Sequence, residues 1–488
     1  MPVTTGEPAA PGAVPSLDGV GAQDAVPEPA AVTERLQRTR RRRNRHRMIV
    51  TLAVALVVLL ASGGLIVAQR LNRPLAQPAI PSEHSSSFAV PGTTPSQPWP
   101  ATGQAAVEIP SLGYARQSTL EGPVPIASLA KMATAVVILR DHPMTAGASG
   151  PSITVTADEA NQFDVDLQND ETNIPLQTGE TLTEQQLLEA LMVGSANDAA
   201  YTLAVWDAGS VPGFVAKMNA LASSLRADQT HYTDPGGFDP GSVSTAADSL
   251  RIAAAGMAIP AFAAVVAMPS VTVPLAGVVQ NIVKLVGTDG IVGVKSGYTS
   301  QAAGCMVLAT YRTIRGRPVL VLAAALAQLE PPPPAPTPST TAPVAPPPST
   351  TSTTAPPATP VVPYSPIQAQ YPLLYTGPIV VRLLDASESA IVPVPVVTEG
   401  SVVRTARTDW GGVHHEVPAV ATRSAWLLGL PGQRVAVTTA PRSPSPRGSS
   451  PAVVGTARFT LGQQTETVPL RLLHRLAEPT WWWKVLNN

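Results

Sequence analysis

Ser128 and Lys131 stand three residues apart in the stretch PIASLAKMATAVVIL. A serine hydroxyl is a poor nucleophile until a base takes its proton. An amine can be that base when burial and neighbouring positive charge lower its pKa. Arginine cannot, because its guanidinium keeps its proton at any useful pH. The chain uses the two cations very unequally, with five lysines (131, 217, 284, 295 and 484) against 27 arginines. Positions that hold lysine are therefore informative, and two of the five fall in short motifs.

Ser195-Ala196-Asn197 and Lys295-Ser296-Gly297 are the other two groups. A hydroxyl at Ser195 can pass a proton to a leaving amine, and an amide at Asn197 can orient a peptide carbonyl. Lys295 and the Ser296 hydroxyl suit a terminal carboxylate, and Gly297 lets a backbone approach closely. Singly, each motif is weak, and a helix cap or a solvated strand residue explains it as well. Together they follow in order, on three different kinds of element.

Those elements can be read from the flanking residues. Pro125 followed by an apolar run places Ser128 at a helix start, where i, i+3 spacing sets it beside Lys131 on one face. The helix N-terminus there also favours developing negative charge. Thr181-Leu-Thr-Glu184 reads as a capping box opening TEQQLLEALMV, and Gly194 ends that helix. DAAYTLAVW starts another, so Ser195 and Asn197 sit on a corner between helices. IVGV before Lys295 is β-like, and so are CMVLATYR and RPVLVLAAALAQ after it. An antiparallel sheet edge is expected.

The 488 residues suggest about three units. The net charge of −1 argues against a nucleic-acid binder. One cysteine, Cys305, excludes a disulfide framework and any cysteine-based metal cluster. The 53 Pro and 36 Gly point to linkers. Residues 1–47 read as a disordered cytoplasmic tail ending in an Arg-rich run. Residues 48–68 are uncharged and at 1.5 Å per residue span about 31 Å, the length of one transmembrane helix. The arginines before it favour a cytoplasmic N-terminus and an extracytoplasmic remainder. Residues 69–97 read as a stalk and 98–330 as the globular unit carrying the motifs, with 364–376 a candidate for completing it. Residues 331–363 are a Pro/Thr/Ser-rich spacer. Residues 377–488 are β-rich and carry a repeat at an offset of 51: Thr405-Ala406-Arg407 recurs as Thr456-Ala457-Arg458, and Val417-Pro418 as Val468-Pro469. A small sandwich-like all-β domain fits. His414 and His415 point to opposite faces of a strand, which disfavours a shared metal. Trp481-Trp482-Trp483 suits either packing on that domain or a membrane interface.

The ordered set Ser-x-x-Lys, Ser-x-Asn, Lys-[Thr/Ser]-Gly resembles that of the penicillin-recognising serine acyl-enzymes. The surrounding text is similar to the serine-type D-alanyl-D-alanine carboxypeptidases, the low-molecular-weight penicillin-binding proteins, of actinobacterial type. PIASLAKMATA, GSANDAA, YTDPGGFDP with STAAD, and VGVKSGYTSQAAGC carry the resemblance, across about residues 99–330. It implies an α/β catalytic domain of the serine β-lactamase/DD-peptidase type, an antiparallel sheet packed by helices plus a helical subdomain. It implies that Ser128 attacks the penultimate D-Ala carbonyl of a peptidoglycan stem peptide, and that Lys131 takes its proton. Ser195 and Asn197 serve the leaving group and the acyl chain. Lys295 and Ser296 bind the terminal carboxylate, with Gly297 beside them, and the N–H groups of Ser128 and Tyr298 form the oxyanion hole. No cofactor or metal is implied, and β-lactams are expected inhibitors. Two departures stand out: Ser296 replaces the usual Thr, and the spacer falls where the family has a closing helix, for which Ser365–Tyr375 is the candidate. A β-lactamase of the same fold is the nearest alternative, though no clear Glu-x-x-Leu-Asn stretch lies between the second and third motifs. A transpeptidase shares the acyl-enzyme, and an inactive wall-binding protein would suit the anchor and the β-rich end.

Overall fold

The computed structural model describes residues 29–73, 85–119, 122–169, 171–329, 367–410, 413–441, 453–474 and 480–487. The expected spacer, positions 1–28 of the expected tail and positions 74–84 of the stalk lie outside these. Two compact units are present.

The first unit is built on helix α1 (Pro29–Asn72). Its apolar part is long and apolar enough to cross a membrane, which makes it a candidate anchor. The helix begins at Pro29, well before the expected start at Met48, so the Arg-rich run is helical rather than disordered. Arg, Gln and Leu are good helix formers, and extending a formed helix costs far less than nucleating one. Helix α10 (Trp481–Asn487) lies beside α1, with Arg70 Nη1 donating to the Val485 carbonyl at 2.8 Å. The rings of Trp481 and Trp482 stack with centroids 3.9 Å apart.

The centre of the second unit is a five-stranded antiparallel sheet. Its strands are β2 (Gln104–Ile109), β3 (Tyr114–Gln117), β10 (Ile291–Thr299), β11 (Ala303–Ile314) and β12 (Arg317–Gln328), in the order β10-β11-β12-β2-β3. Arg315 and Gly316 join β11 to β12 with φ of 49° and 77°. Two positive φ values in a two-residue loop match the strand twist, which is why such hairpins form. The long apolar runs in β11 and β12 are explained by burial on both faces. Val307 and Ala309 face one core cluster, and Met306 and Leu308 face the other.

Helices α2 (Ala130–Asp141), α7 (Ala246–Met257) and α8 (Pro260–Val266) cover the first face. Around α2 stand α3 (Ala157–Gln168), α4 (Glu184–Glu189), α5 (Asn197–Ala208) and α6 (Val211–Ser224), a helical subdomain packed through Leu187, Leu203, Phe214 and Met218. Short ribbons brace it: β4 (Val124–Pro125) with β7 (Val243–Ser244), β5 (Ser152–Thr154) with β6 (Thr181–Thr183), and β8 (Ser270–Val273) with β9 (Gly277–Gln280). Because 181–183 pair as β6, the helix cap moves from Thr181 to Thr183. Its side chain accepts from the Gln186 N–H while Gln186 reaches back to the Thr183 N–H.

Helix α9 (Ile367–Ser389) closes the second face with Val380, Leu383 and Leu384. It is the closing helix expected near 365–375, but it continues to Ser389, so positions 377–389 do not belong to the β-rich end. Gly377 sits inside the helix, where a Cβ would come within 3.2 Å of Leu285 Cδ1.

The remaining strands form a six-stranded antiparallel sheet and a two-stranded pair. The sheet uses β1 (Ser85–Ala89), β14 (Val402–Trp410), β15 (Val413–Ala421), β17 (Arg434–Pro441), β18 (Val453–Leu461) and β19 (Gln464–Leu472), in the order β1-β17-β18-β19-β15-β14. The pair is β13 (Val392–Val397) with β16 (Ala425–Gly429). Val394 and Leu427 of the pair pack on Ala457, Phe459, Val468 and Leu470 of the sheet, a sandwich-like arrangement. The repeat is structural: β18 follows β14, and β19 follows β15, at the same offset as the recurring residues and with the same length. One feature departs from the expected stalk. Ser85–Ala89 is the edge strand β1, paired from Ser85 opposite Thr438 to Ala89 opposite Arg434, and it covers an otherwise open β17 edge.

Candidate active site

Ser128 lies in a tight turn, Ala127–Leu129, that leads from β4 into α2. Ala127 holds φ at 48°, a strained value for a residue with a side chain. The turn is wedged between two glycines. A Cβ on Gly237, itself at φ 81°, would lie 1.9 Å from the Ala127 carbonyl oxygen, and a Cβ on Gly297 would lie 2.7 Å from the Ser128 nitrogen. Only glycine permits either approach. The loop bearing Gly237 is fixed by Asp234, which accepts from the Phe238 N–H at 2.8 Å, and by Thr134 Oγ1, which donates to the Pro235 carbonyl at 2.7 Å.

One turn along α2, Lys131 is fully buried. Its Nζ donates to Ser128 Oγ at 3.0 Å, to the Gly236 carbonyl at 2.8 Å and to Asn197 Oδ1. Burial lowers its pKa to about 8, against the opposing pull of Asp234, Glu171, Asp166 and Asp198. Desolvation disfavours the charged amine, and here it outweighs four acids.

Ser195 ends a π-helical turn, Ala190–Gly194, that extends α4. It takes the left-handed conformation, φ 64°, before α5 begins at Asn197. This is the corner between helices that the sequence suggested. Its Oγ accepts from Lys295 Nζ at 2.8 Å, and Lys295 also donates to the Ser296 carbonyl at 2.9 Å. Lys295 is fully buried, and burial together with the Lys131 charge holds its pKa well below the usual lysine range. The Ser296 hydroxyl is buried and, among the described residues, has no hydrogen-bond partner. Tyr298 follows at the rim, 37% exposed.

Six of the eight residues singled out from sequence, Ser128, Lys131, Ser195, Asn197, Lys295 and Gly297, therefore meet at one place, where α2, the α4–α5 corner and β10 converge, and Ser296 and Tyr298 lie beside them in the chain on β10. Ser128 is bonded to Lys131 and Ser195 to Lys295, and Asn197 bridges the corner to Lys131. Two participants were missed. Gly236 supplies a backbone acceptor, and Glu171 accepts from Asn197 Nδ2 and from Asn169 Nδ2 (3.2 Å). Burial, reinforced by Asp166, raises the Glu171 pKa. Among the described residues, no group of three His, Cys, Asp or Glu could hold a metal ion. Glu416, beside the histidine pair considered earlier, bonds to Arg407 at 2.9 Å.

Residues 114–324 match the peptidase S11 family model, D-alanyl-D-alanine carboxypeptidase. Over 202 residues the chain is 31% identical to a D-alanyl-D-alanine carboxypeptidase of Streptomyces sp. strain K15, covering 38% of this chain and 67% of that relative. The chain belongs to the D-alanyl-D-alanine carboxypeptidase family. It is 38% identical over 195 residues to D-alanyl-D-alanine carboxypeptidase DacB2 of Mycobacterium tuberculosis, covering 38% of this chain and 62% of DacB2, a little under two thirds of its length. A crystal structure of the Streptomyces K15 DD-transpeptidase aligns at 25% identity with a TM-score of 0.42, over 47% of this chain and 91% of that one. The family match ends at Ala324, inside β12, so α9 and the β-rich end lie outside it. The three motifs and the buried lysine pair all lie within it.

Proposed function

We propose that this chain is a serine-type D-Ala-D-Ala carboxypeptidase that removes the terminal D-Ala of peptidoglycan stem peptides through an acyl-enzyme on Ser128. The observation that carries the reading is the 3.0 Å contact between Ser128 Oγ and a fully buried Lys131 whose pKa is lowered to about 8. A neutral amine has two hydrogens and one lone pair. With its hydrogens given to Asn197 Oδ1 and the Gly236 carbonyl, the lone pair is left facing the Ser128 hydroxyl. Lys131 is then the base for attack.

As the carbonyl becomes tetrahedral, its oxygen is stabilised by the N–H groups of Ser128 and Tyr298, a contribution often worth several kcal/mol. The leaving D-Ala amine receives, through Ser195 held by Lys295, the proton that Lys131 took from Ser128, which frees Lys131 for the second step. The substrate's terminal carboxylate meets Lys295 and the unpartnered Ser296 hydroxyl. Its negative charge acts against the influences that lower the Lys295 pKa, so binding favours the charged lysine. Ser296 keeps the hydroxyl of the usual Thr. Water then cleaves the ester, with Lys131 again holding the transferred proton. β-Lactams follow the same path as far as the acyl-enzyme. In this reading α1 is a single-pass anchor with its N-terminus in the cytoplasm, the catalytic unit acts outside the membrane, and the β-rich end serves as a scaffold.

The test is the intact mass of the full chain in detergent, with and without benzylpenicillin, beside Ser128→Ala. A stable adduct on the wild type alone is expected, together with D-Ala release from a peptide ending in D-Ala-D-Ala. No adduct with intact penicillin would remove the enzyme reading and leave a wall-binding protein. Penicillin consumed without an adduct would make it a β-lactamase. Efficient transfer to an amine acceptor would make it a transpeptidase.

A further inference from the structure

The segment following α3 lies against the α4–α5 corner and is clipped to it at several points. The Asn197 N–H donates to the Thr172 carbonyl at 2.7 Å, and the Ile174 N–H donates to the buried Asp198 carboxylate at 3.0 Å. This places Glu171 directly behind Asn197. One carboxylate oxygen accepts from Asn197 Nδ2 and the other from Asn169 Nδ2. Asn197 in turn presents Oδ1 to Lys131 Nζ.

An amide has two faces of opposite hydrogen-bonding character, and flipping it exchanges them. With Asn197 flipped, its NH2 would confront the Lys131 amine and its oxygen would confront the Glu171 carboxylate. Donor would meet donor and acceptor would meet acceptor. We propose that Glu171 is a positioning residue of the catalytic centre, holding the Asn197 amide in the one orientation that accepts from Lys131 and turns its second N–H toward the substrate's acyl carbonyl. It touches neither substrate nor the reacting atoms and acts through Asn197. This role rests on the acyl-enzyme reading above.

A second effect follows from charge. Lys131 is faced by Asp166 of α3, Glu171 after it, Asp198 of α5, Asp234 of the loop after α6, and Lys295 of β10. The carboxylates favour its protonated form, and burial opposes them. Removing the Glu171 charge lowers the Lys131 pKa, so the base becomes available at lower pH.

The test compares Glu171→Ala, Glu171→Gln and wild type as full chains in detergent, measuring the second-order rate of acylation by a fluorescent penicillin on both sides of pH 8. Glutamine keeps an oxygen for Asn197 but loses the charge and the acceptor that Asn169 Nδ2 uses. Glu171→Gln is expected to hold most of the wild-type rate at alkaline pH while its rising limb moves to lower pH. Glu171→Ala is expected to acylate about tenfold more slowly or worse, the consequence of one ordinary hydrogen bond left unmade. In an Asn197→Ala background, Glu171→Ala should add little, because the two residues act as one unit. A purely structural role would lower thermal stability, leave the limb in place and add its full effect on top of Asn197→Ala; that result overturns the proposal. So does a Glu171→Ala protein with wild-type rate and limb. If Glu171→Ala fails to fold, the limb of Glu171→Gln decides alone, and an unmoved limb counts against the proposal. A wild type that does not label at all removes the acyl-enzyme reading itself, and this inference with it.

Discussion

Gly297→Ala adds a single methyl group where β10 passes the nucleophile. The added Cβ would stand 2.7 Å from the Ser128 nitrogen, 3.0 Å from Ala127 Cβ and 3.1 Å from the Ile126 carbonyl oxygen. Two of these are backbone atoms, so no side-chain rotation makes room. Ordinary contact begins near 3.4 Å, which requires the two elements to part by about 0.7 Å. β10 cannot supply that movement, because Gly297 is paired opposite Cys305, a fully buried residue of β11. The nucleophile turn must give instead, and Ala127 is already at a strained positive φ. Overpacking of this kind costs about 1–3 kcal/mol of stability. A displacement of about 1 Å in reacting groups can cost about 100-fold in rate, so about 0.7 Å implies a loss on the order of 30-fold. The assay is the second-order rate constant for fluorescent penicillin, with the melting temperature measured on the same protein. A variant that acylates within about twofold of wild type and melts at the same temperature would refute this account of the cleft.

Two further outcomes are expected. Acylation should rise with pH through about 8, because Lys131 accepts a proton only when neutral. Lys131→Arg should be inert at every pH, since a guanidinium stays charged; a pH-rate profile of both proteins checks this, and a flat wild-type profile would count against Lys131 as base. Ser296→Ala removes a buried hydroxyl that has no partner, so the free protein should gain about 1 kcal/mol in thermal unfolding. The same change should raise KM for a D-Ala-D-Ala peptide about tenfold by removing a donor to the carboxylate, and a lower melting temperature would contradict it.

The motifs were legible because each is local. A few neighbouring residues at the start of α2 or on β10 fix their own geometry, and helix and strand periods predict which side chains meet. Glu171 gave no such sign. It is one acid among many, 26 positions before its partner Asn197, and only the fold places it there. Gly236 contributes a carbonyl, which no side-chain pattern encodes. In the fold, the sheet hairpins and the strand repeat were readable from apolar runs and recurring turns. Strand β1 was not, because Ser-Ser-Ser-Phe-Ala has no alternation of its own and pairs only because β17 offers an edge. The extent of α9 was hidden by Gly377 and Pro378, which ordinarily break helices but here lie within one that packs on the sheet.

Strand β1 and helix α9 together give the second unit a reciprocal construction. The segment before the Pro-rich stretch lends β1 to the sheet of the β-rich end, and the segment after it lends α9 to the catalytic sheet. The protease-like unit is thus threaded into the β-rich part rather than strung ahead of it. A single cut between residues 330 and 366 would leave a nicked particle whose halves still clasp one another by a strand and a helix. Ending the chain at the same place would instead bare the face of Met306, Leu308 and Val321 that α9 covers.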